Sequence, residues 1–137
     1  MQNRLKFLLK EPVFILSVSI FIVLVGWWYY LQPFNLSDSL LHSKYIWGSL
    51  YQILALIGGI YGIFQSKKWG GINSFLGRSI LLFSLGLIFQ CIGQSVYSYY
   101  NLYAQVEAPY PSLGDFGYFG SVILYILGVL SLSLIHI

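Results

Sequence analysis

The residues able to do chemistry in this chain are few and far apart. Its acids are Glu11, Asp38, Glu107 and Asp115, its histidines His42 and His136, and its single cysteine Cys91. Nucleophilic catalysis needs a nucleophile beside a base, with a third group orienting the base. Ser112, Asp115, Glu107 and His42 have no mutual spacing of that kind, so no catalytic residue is assigned and an enzyme is not expected. A metal centre needs three or four nitrogen, sulfur or carboxylate ligands converging on one point. His42 has no second histidine or cysteine near it in sequence and reads as a solvated loop residue; no metal or cofactor is expected. Cys91 cannot form an internal disulfide and lies in an apolar stretch, where a cysteine behaves as a small hydrophobe. The polar residues with a regular pattern are amides: Gln52, Gln90 and Gln94, each inside an apolar run.

Those amides have to be held by elements whose surroundings are hydrocarbon. Charged residues make up 8% of the 137-residue chain and hydrophobic residues 58%, with a mean hydropathy of +0.75. An ordinary soluble domain carries roughly a quarter of its residues as charges. Disorder is excluded as well, because disordered chains are poor in aliphatic and aromatic side chains. The fold expected is all-α, a polytopic bundle of four transmembrane helices. A helix needs about 20 apolar residues to cross the hydrocarbon core. The spans expected are 13–31, 45–64, 73–100 and 113–131, with the intervening Gln32–Lys44 segment, rich in Pro33, Asn35, Ser37 and Asp38, as a short loop. Pro12 suits a first helical turn, and Trp27-Trp28-Tyr29-Tyr30 in place of a small-residue cleavage site makes the first span an uncleaved anchor.

Orientation follows from the bases. Arg4, Lys6 and Lys10 precede the first span and Lys67, Lys68 and Arg78 lie between the second and third, whereas Lys44 alone serves the other two connections. Positive residues stay on the cytoplasmic side, so the N-terminus is placed in the cytoplasm and the protein in the cytoplasmic (inner) membrane. Arg78 is expected to snorkel to the headgroups. Trp27, Trp28, Tyr29, Tyr30, Tyr45, Trp47, Tyr97, Tyr99, Tyr100, Tyr103, Tyr110 and Tyr118 then fall outside, with little beyond Trp69 inside. A headgroup belt would be present on both sides. The excess marks the outer face as a place where an aromatic-lined pocket could form.

Lipid is as apolar as leucine, so helices associate in it through close packing and polar contacts. Gly48, Gln52, Ala55, Gly59 and Gly62 share one face of the second span, and Gly86, Gln90, Gly93, Gln94 and Tyr97 one face of the third. These two faces are expected to meet, with the glutamine amides bonding across. Gly117, Gly120 and Gly128 are further contact points. No carboxylate, lysine or arginine lies deep in a span, which weighs against an ion-coupled transport path through the glutamines.

At the start of the fourth span, Ser112 and Asp115 stand at capping-box positions, with Pro111 and Phe116 placed as a hydrophobic staple and Asp115 at the positive end of the helix dipole. The stretch Pro111, Ser112, Asp115, Tyr118 and Phe119, following Tyr99, Tyr100 and Glu107, resembles the PSxxDxxY-type segment of multi-spanning membrane input regions in bacterial and archaeal proteins. Such regions precede histidine kinase, PAS or diguanylate cyclase (GGDEF) modules. This chain departs from the pattern with Gly114 before the aspartate, where alanine is more frequent, and Phe119 after the tyrosine, where leucine is. The resemblance implies a sensory membrane domain and supplies no catalytic residues. It also implies a kinase or cyclase module in further sequence. The other partners expected are the lipid bilayer and a second copy of the chain; nucleic acid is not expected. The alternatives are a stand-alone small membrane protein with a structural or partner-binding role, and a transporter fragment. The last six residues, Leu132-Ser133-Leu134-Ile135-His136-Ile137, resemble a translated sequencing-adaptor end. Residues 1–131 are therefore read as the membrane domain of a larger bundle and 132–137 as a non-native tail.

Overall fold

The computed structural model describes residues 11–32 and 38–136. The basic N-terminal segment that sets the expected topology, and Pro33, Asn35 and Ser37 of the first connection, lie outside them. The described residues are almost entirely helical. Helix α1 is Pro12–Tyr30, α2 Asp38–Leu50, α3 Gln52–Lys68, α4 Phe75–Tyr99 and α5 Leu113–Ser133. Four helical stretches are long and apolar enough to cross a membrane: Pro12–Tyr30, Leu41–Lys68, Phe75–Ala104 and Leu113–Ser133.

The distribution of side-chain size identifies the solvent. Among the described residues, Leu24 and Leu31 are the buried large hydrophobics, whereas Phe21, Ile22, Val23, Phe116, Phe119 and Ile123 are more than half exposed. Glycine and serine fill the interior instead: Gly59, Ser66, Gly77, Ser79, Ser84, Gly86, Gly93, Gly114, Gly117, Ser121, Gly128 and Ser131. In water such an arrangement would expose the apolar groups that folding should bury. In lipid it places small residues where backbones approach and large ones against acyl chains.

α4 is the central helix. Its seam with α5 is backbone against backbone: a Cβ built on Gly117 would stand 2.6 Å from the Gly93 nitrogen and 2.7 Å from its Cα, and one on Gly93 would stand 2.9 Å from the Gly114 carbonyl oxygen. Gly86 is covered by the Tyr125 ring, and Gly120 by Phe89. The other flank of α4 meets α3, where Gly59 packs on Ser84 and Ile88 and Gly62 on Ser84. Gly86 and Gly93 therefore face α5, not the second span as expected. A helix with small residues on two flanks has two partners, and a stripe at three-and-four spacing does not say which flank goes where.

The boundaries differ from expectation at one place of consequence. Residues 38–44 are helical, not loop, so α2 starts well before Tyr45. It runs into α3 through Tyr51, which keeps helical dihedrals (φ −62°, ψ −24°) while Leu54 N–H bonds to its carbonyl at 3.2 Å in a tightened turn. α3 also continues past Phe64 to Lys68, with both lysines in its last turn, where they complement the helix dipole. Gly70 (φ 91°) and Gly71 (φ 56°) then reverse the chain in left-handed conformations that suit glycine. Ser74 caps α4 by accepting from the Gly77 N–H at 2.9 Å. Arg78 points back to this loop, donating to the Ile72 carbonyl at 3.2 Å from one terminal nitrogen. α4 passes into a π-helical turn over Tyr100–Ala104, and α5 ends in a 3₁₀ turn at Leu134–His136.

α1 is attached differently. Leu24 is its one buried residue, Leu31 closes its C-terminus, and the Trp47 indole N–H donates to the Leu24 carbonyl at 2.8 Å. Open grooves lie on both sides of this contact. α3, α4 and α5 thus form a tight sheaf, and α1 leans on it at a few points.

Candidate functional site

Apolar surroundings make it costly for a polar side chain within a span to go without a partner. Gln90, Gln94 and Tyr97 share one face of α4, and Tyr118 and Tyr125, seven residues apart, share the facing stripe of α5. Gln94 is the hub. Its amide nitrogen donates to the Gly48 carbonyl at 2.7 Å, and its amide oxygen accepts from the Tyr51 hydroxyl at 2.8 Å and from the Tyr118 hydroxyl. One side chain so ties the α2–α3 junction, α4 and α5 together. One turn along α4, Tyr97 donates to the Asp115 carboxylate at 2.6 Å, and its ring lies 5.8 Å from that of Tyr118. Asp115 also accepts from the Ser112 N–H at 2.7 Å, completing the capping box expected there. Pro111 follows a cis peptide bond from Tyr110 at the entrance to this cap.

The other glutamines make smaller links of the same kind. Gln90 accepts from Tyr125 at 3.0 Å. Gln52 accepts from Ser95 at 3.0 Å and from the Cys91 thiol at 3.6 Å, so Cys91 serves as a weak donor as well as an apolar filler. The amides cross between helices but bond to tyrosine, serine and backbone rather than to one another. Tyr51 and Tyr125 are partners that sequence reasoning assigned no role, and Trp47 was read only as one of the outer aromatics. A signal was present in the i, i+4 pair Trp47 and Tyr51 on the amide side of the second span, but aromatic residues at headgroup depth have a ready explanation as anchors.

Two cavities flank this network. A polar one of about 330 Å³ opens between α2 and the π-helical turn, lined by His42, Tyr45, Asn101, Gln105 and Glu107. It brings His42 and Glu107 to one place, although 64 residues separate them in sequence. His42 is exposed as expected, but on a helix. Among the described residues, no group of three His, Cys, Asp or Glu could hold a metal ion. The second cavity, of about 570 Å³, is an apolar groove between α1, the α2–α3 junction and α4. Phe21 and Trp28 form one wall, Trp47, Tyr51 and Leu54 the other, and Leu87 and Gln90 the floor. Both cavities have the size of a small-molecule site. Further out, Tyr99 stacks on Tyr103 at 6.0 Å and meets Tyr100 edge-on at 5.9 Å.

No protein-family model, curated protein or solved structure matches this chain. The network has no nucleophile paired with a base: Ser112 and Asp115 close a helix cap, and Gln94 has both ends of its amide engaged. What the arrangement does is hold three helices in one register at the tyrosine-rich end while leaving a ligand-sized groove under a fourth.

Proposed function

We propose that this chain is the membrane-embedded sensory input region of a signal-transduction protein, with its N-terminus in the cytoplasm and no catalytic role of its own. The observation that carries this reading is the contrast in attachment. α3, α4 and α5 are locked by glycine seams and the Gln94 hub, while α1 is held by the Trp47–Leu24 hydrogen bond beside an open groove. Filling that groove changes what α1 touches, and a ligand shifts an equilibrium by the difference in its affinity for the two positions. A loosely held helix against a rigid sheaf is the kind of two-position element that switching requires. The resemblance of the Pro111–Phe119 stretch to input regions supports the same reading, and with it the proposal of an output kinase, PAS or cyclase module in further sequence of the gene.

The experiment is to recover the complete gene and join its output to a measurement. An in-frame output module, whose activity changes when Trp47→Phe releases α1, supports sensing. A stop codon directly after α5 retires it in favour of a stand-alone membrane protein that binds a partner. Topology is tested separately: reporter fusions after Lys68 and after Glu107 should report cytoplasm and exterior respectively, and the reverse result overturns the orientation.

A further inference from the structure

We infer that the groove beneath α1 binds a prenylated quinone, a flat, neutral, carbonyl-bearing ring on an isoprenoid tail, with Gln90 donating to a ring carbonyl. The inference deepens the sensing reading by naming the ligand class; the binding step itself needs no output module.

Depth is the first argument. Gln90 lies 15 residues after Phe75 and 14 before Ala104, in a helical stretch of 30 residues. At 1.5 Å per residue it stands about 22 Å from either end, near the bilayer midplane. Donor chemistry is the second. Among the residues lining the groove, Trp47 gives its N–H to Leu24 and Tyr51 its hydroxyl to Gln94, and Gln90 uses its carbonyl for Tyr125. The Gln90 NH₂ group has no hydrogen-bond partner among the described residues. A donor in hydrocarbon without a partner is costly, so the floor of the groove calls for an acceptor at midplane depth. A phospholipid cannot supply one, because its ester and phosphate oxygens stay at the headgroups and only methylenes reach this level. A neutral quinone ring can. The walls suit the same ligand: Phe21, Trp28 and Trp47 supply aromatic side chains for a flat ring, and the volume of about 570 Å³ accommodates the ring with the first part of a tail.

The test uses the full chain in lipid nanodiscs and a decyl-tailed benzoquinone as probe, read by tryptophan quenching. A version retaining Trp28 and Trp47 reports the groove. A version retaining only Trp69, on the loop between α3 and α4, reports partition of the probe into the bilayer. The expected result is saturable quenching of the groove reporter and linear quenching of the Trp69 reporter. Gln90→Leu should weaken binding at least tenfold, and Ala55→Phe, which fills the groove without adding a tryptophan, should abolish saturation. Both variants are first checked for helicity and monodispersity, and either one that folds suffices. Linear quenching with equal slopes at both reporters overturns the inference. So does saturable quenching by a brominated phospholipid that the quinone fails to displace, because an acyl chain is then the occupant. Saturable quinone binding with no change in an attached output retires the sensing reading alone. An output that answers another signal while groove quenching stays linear retires the quinone alone.

Discussion

Replacing Gly117 with alanine adds one methyl group where the α4–α5 seam is backbone against backbone. The new Cβ would stand 2.6 Å from the Gly93 nitrogen, 2.7 Å from its Cα and 2.8 Å from the Phe89 carbonyl oxygen. Carbon atoms in contact prefer about 3.5–4.0 Å, so the two backbones must part by about 1 Å. Nothing soft is available to yield, since all three obstacles are main chain. Overpacking of this kind costs about 1–3 kcal/mol. Parting the seam also stretches the Tyr97–Asp115 and Tyr118–Gln94 hydrogen bonds, which cross it nearby. Interhelical hydrogen bonds in membranes are worth roughly 0.6 kcal/mol each on average. The total expected loss is about 2–4 kcal/mol. Gly48→Ala is the matched control, because a Cβ there meets nothing within 4 Å. It should be neutral or stabilise by about 0.5–1 kcal/mol, as alanine is favoured over glycine in a helix. Reversible unfolding of the two variants in the same detergent measures the difference directly. If Gly117→Ala is tolerated as well as Gly48→Ala, α4 and α5 do not touch through glycine, and the described seam is wrong.

Three further outcomes follow from the same contacts. Gln94→Leu removes the hub and leaves Tyr51, Tyr118 and the Gly48 carbonyl without their partner, at a cost of roughly 2 kcal/mol by the per-bond value above; a double-mutant cycle with Tyr118→Phe should show coupling, and strict additivity would count against the bond. Asp115→Ala loses the cap and the Tyr97 bond together and should destabilise by about 1–2 kcal/mol, with Asp115→Asn milder because one amide oxygen still accepts; equal melting temperatures for the three proteins would remove the cap from the account. Trp47→Phe frees the Leu24 carbonyl, and deuterium uptake should rise in α1 while α4 and α5 stay protected; a uniform rise across all helices would mean that α1 is no separate unit.

The class of this protein was legible from composition and run length, because a chain with 8% charge and four long apolar stretches has no other way to satisfy its backbone than as helices in lipid. The Ser112–Asp115 cap was equally legible, being a local device whose partners lie three residues apart. Gly86 and Gly93 show where legibility stops. Their spacing marks a contact face, but the choice between α3 and α5 rests on how the helices are arranged around α4, and that is a property of the whole packing. Residues 38–44 read as loop because Asp38, Ser39, His42, Ser43 and Lys44 are polar, yet helix extends through them beyond the apolar run. Trp47 reads as one more outer aromatic and Tyr51 is assigned no role, because their partners, the Leu24 carbonyl and Gln94, lie 23 and 43 residues distant in sequence. The groove has no local signature at all: it is the space left where α1 fails to close on the sheaf. Local physics determined the helices, their caps and their solvent, since hydrocarbon imposes those terms on each segment separately. The pairing of faces, the amide hub and the groove were decided only by tertiary structure, because each exists between segments.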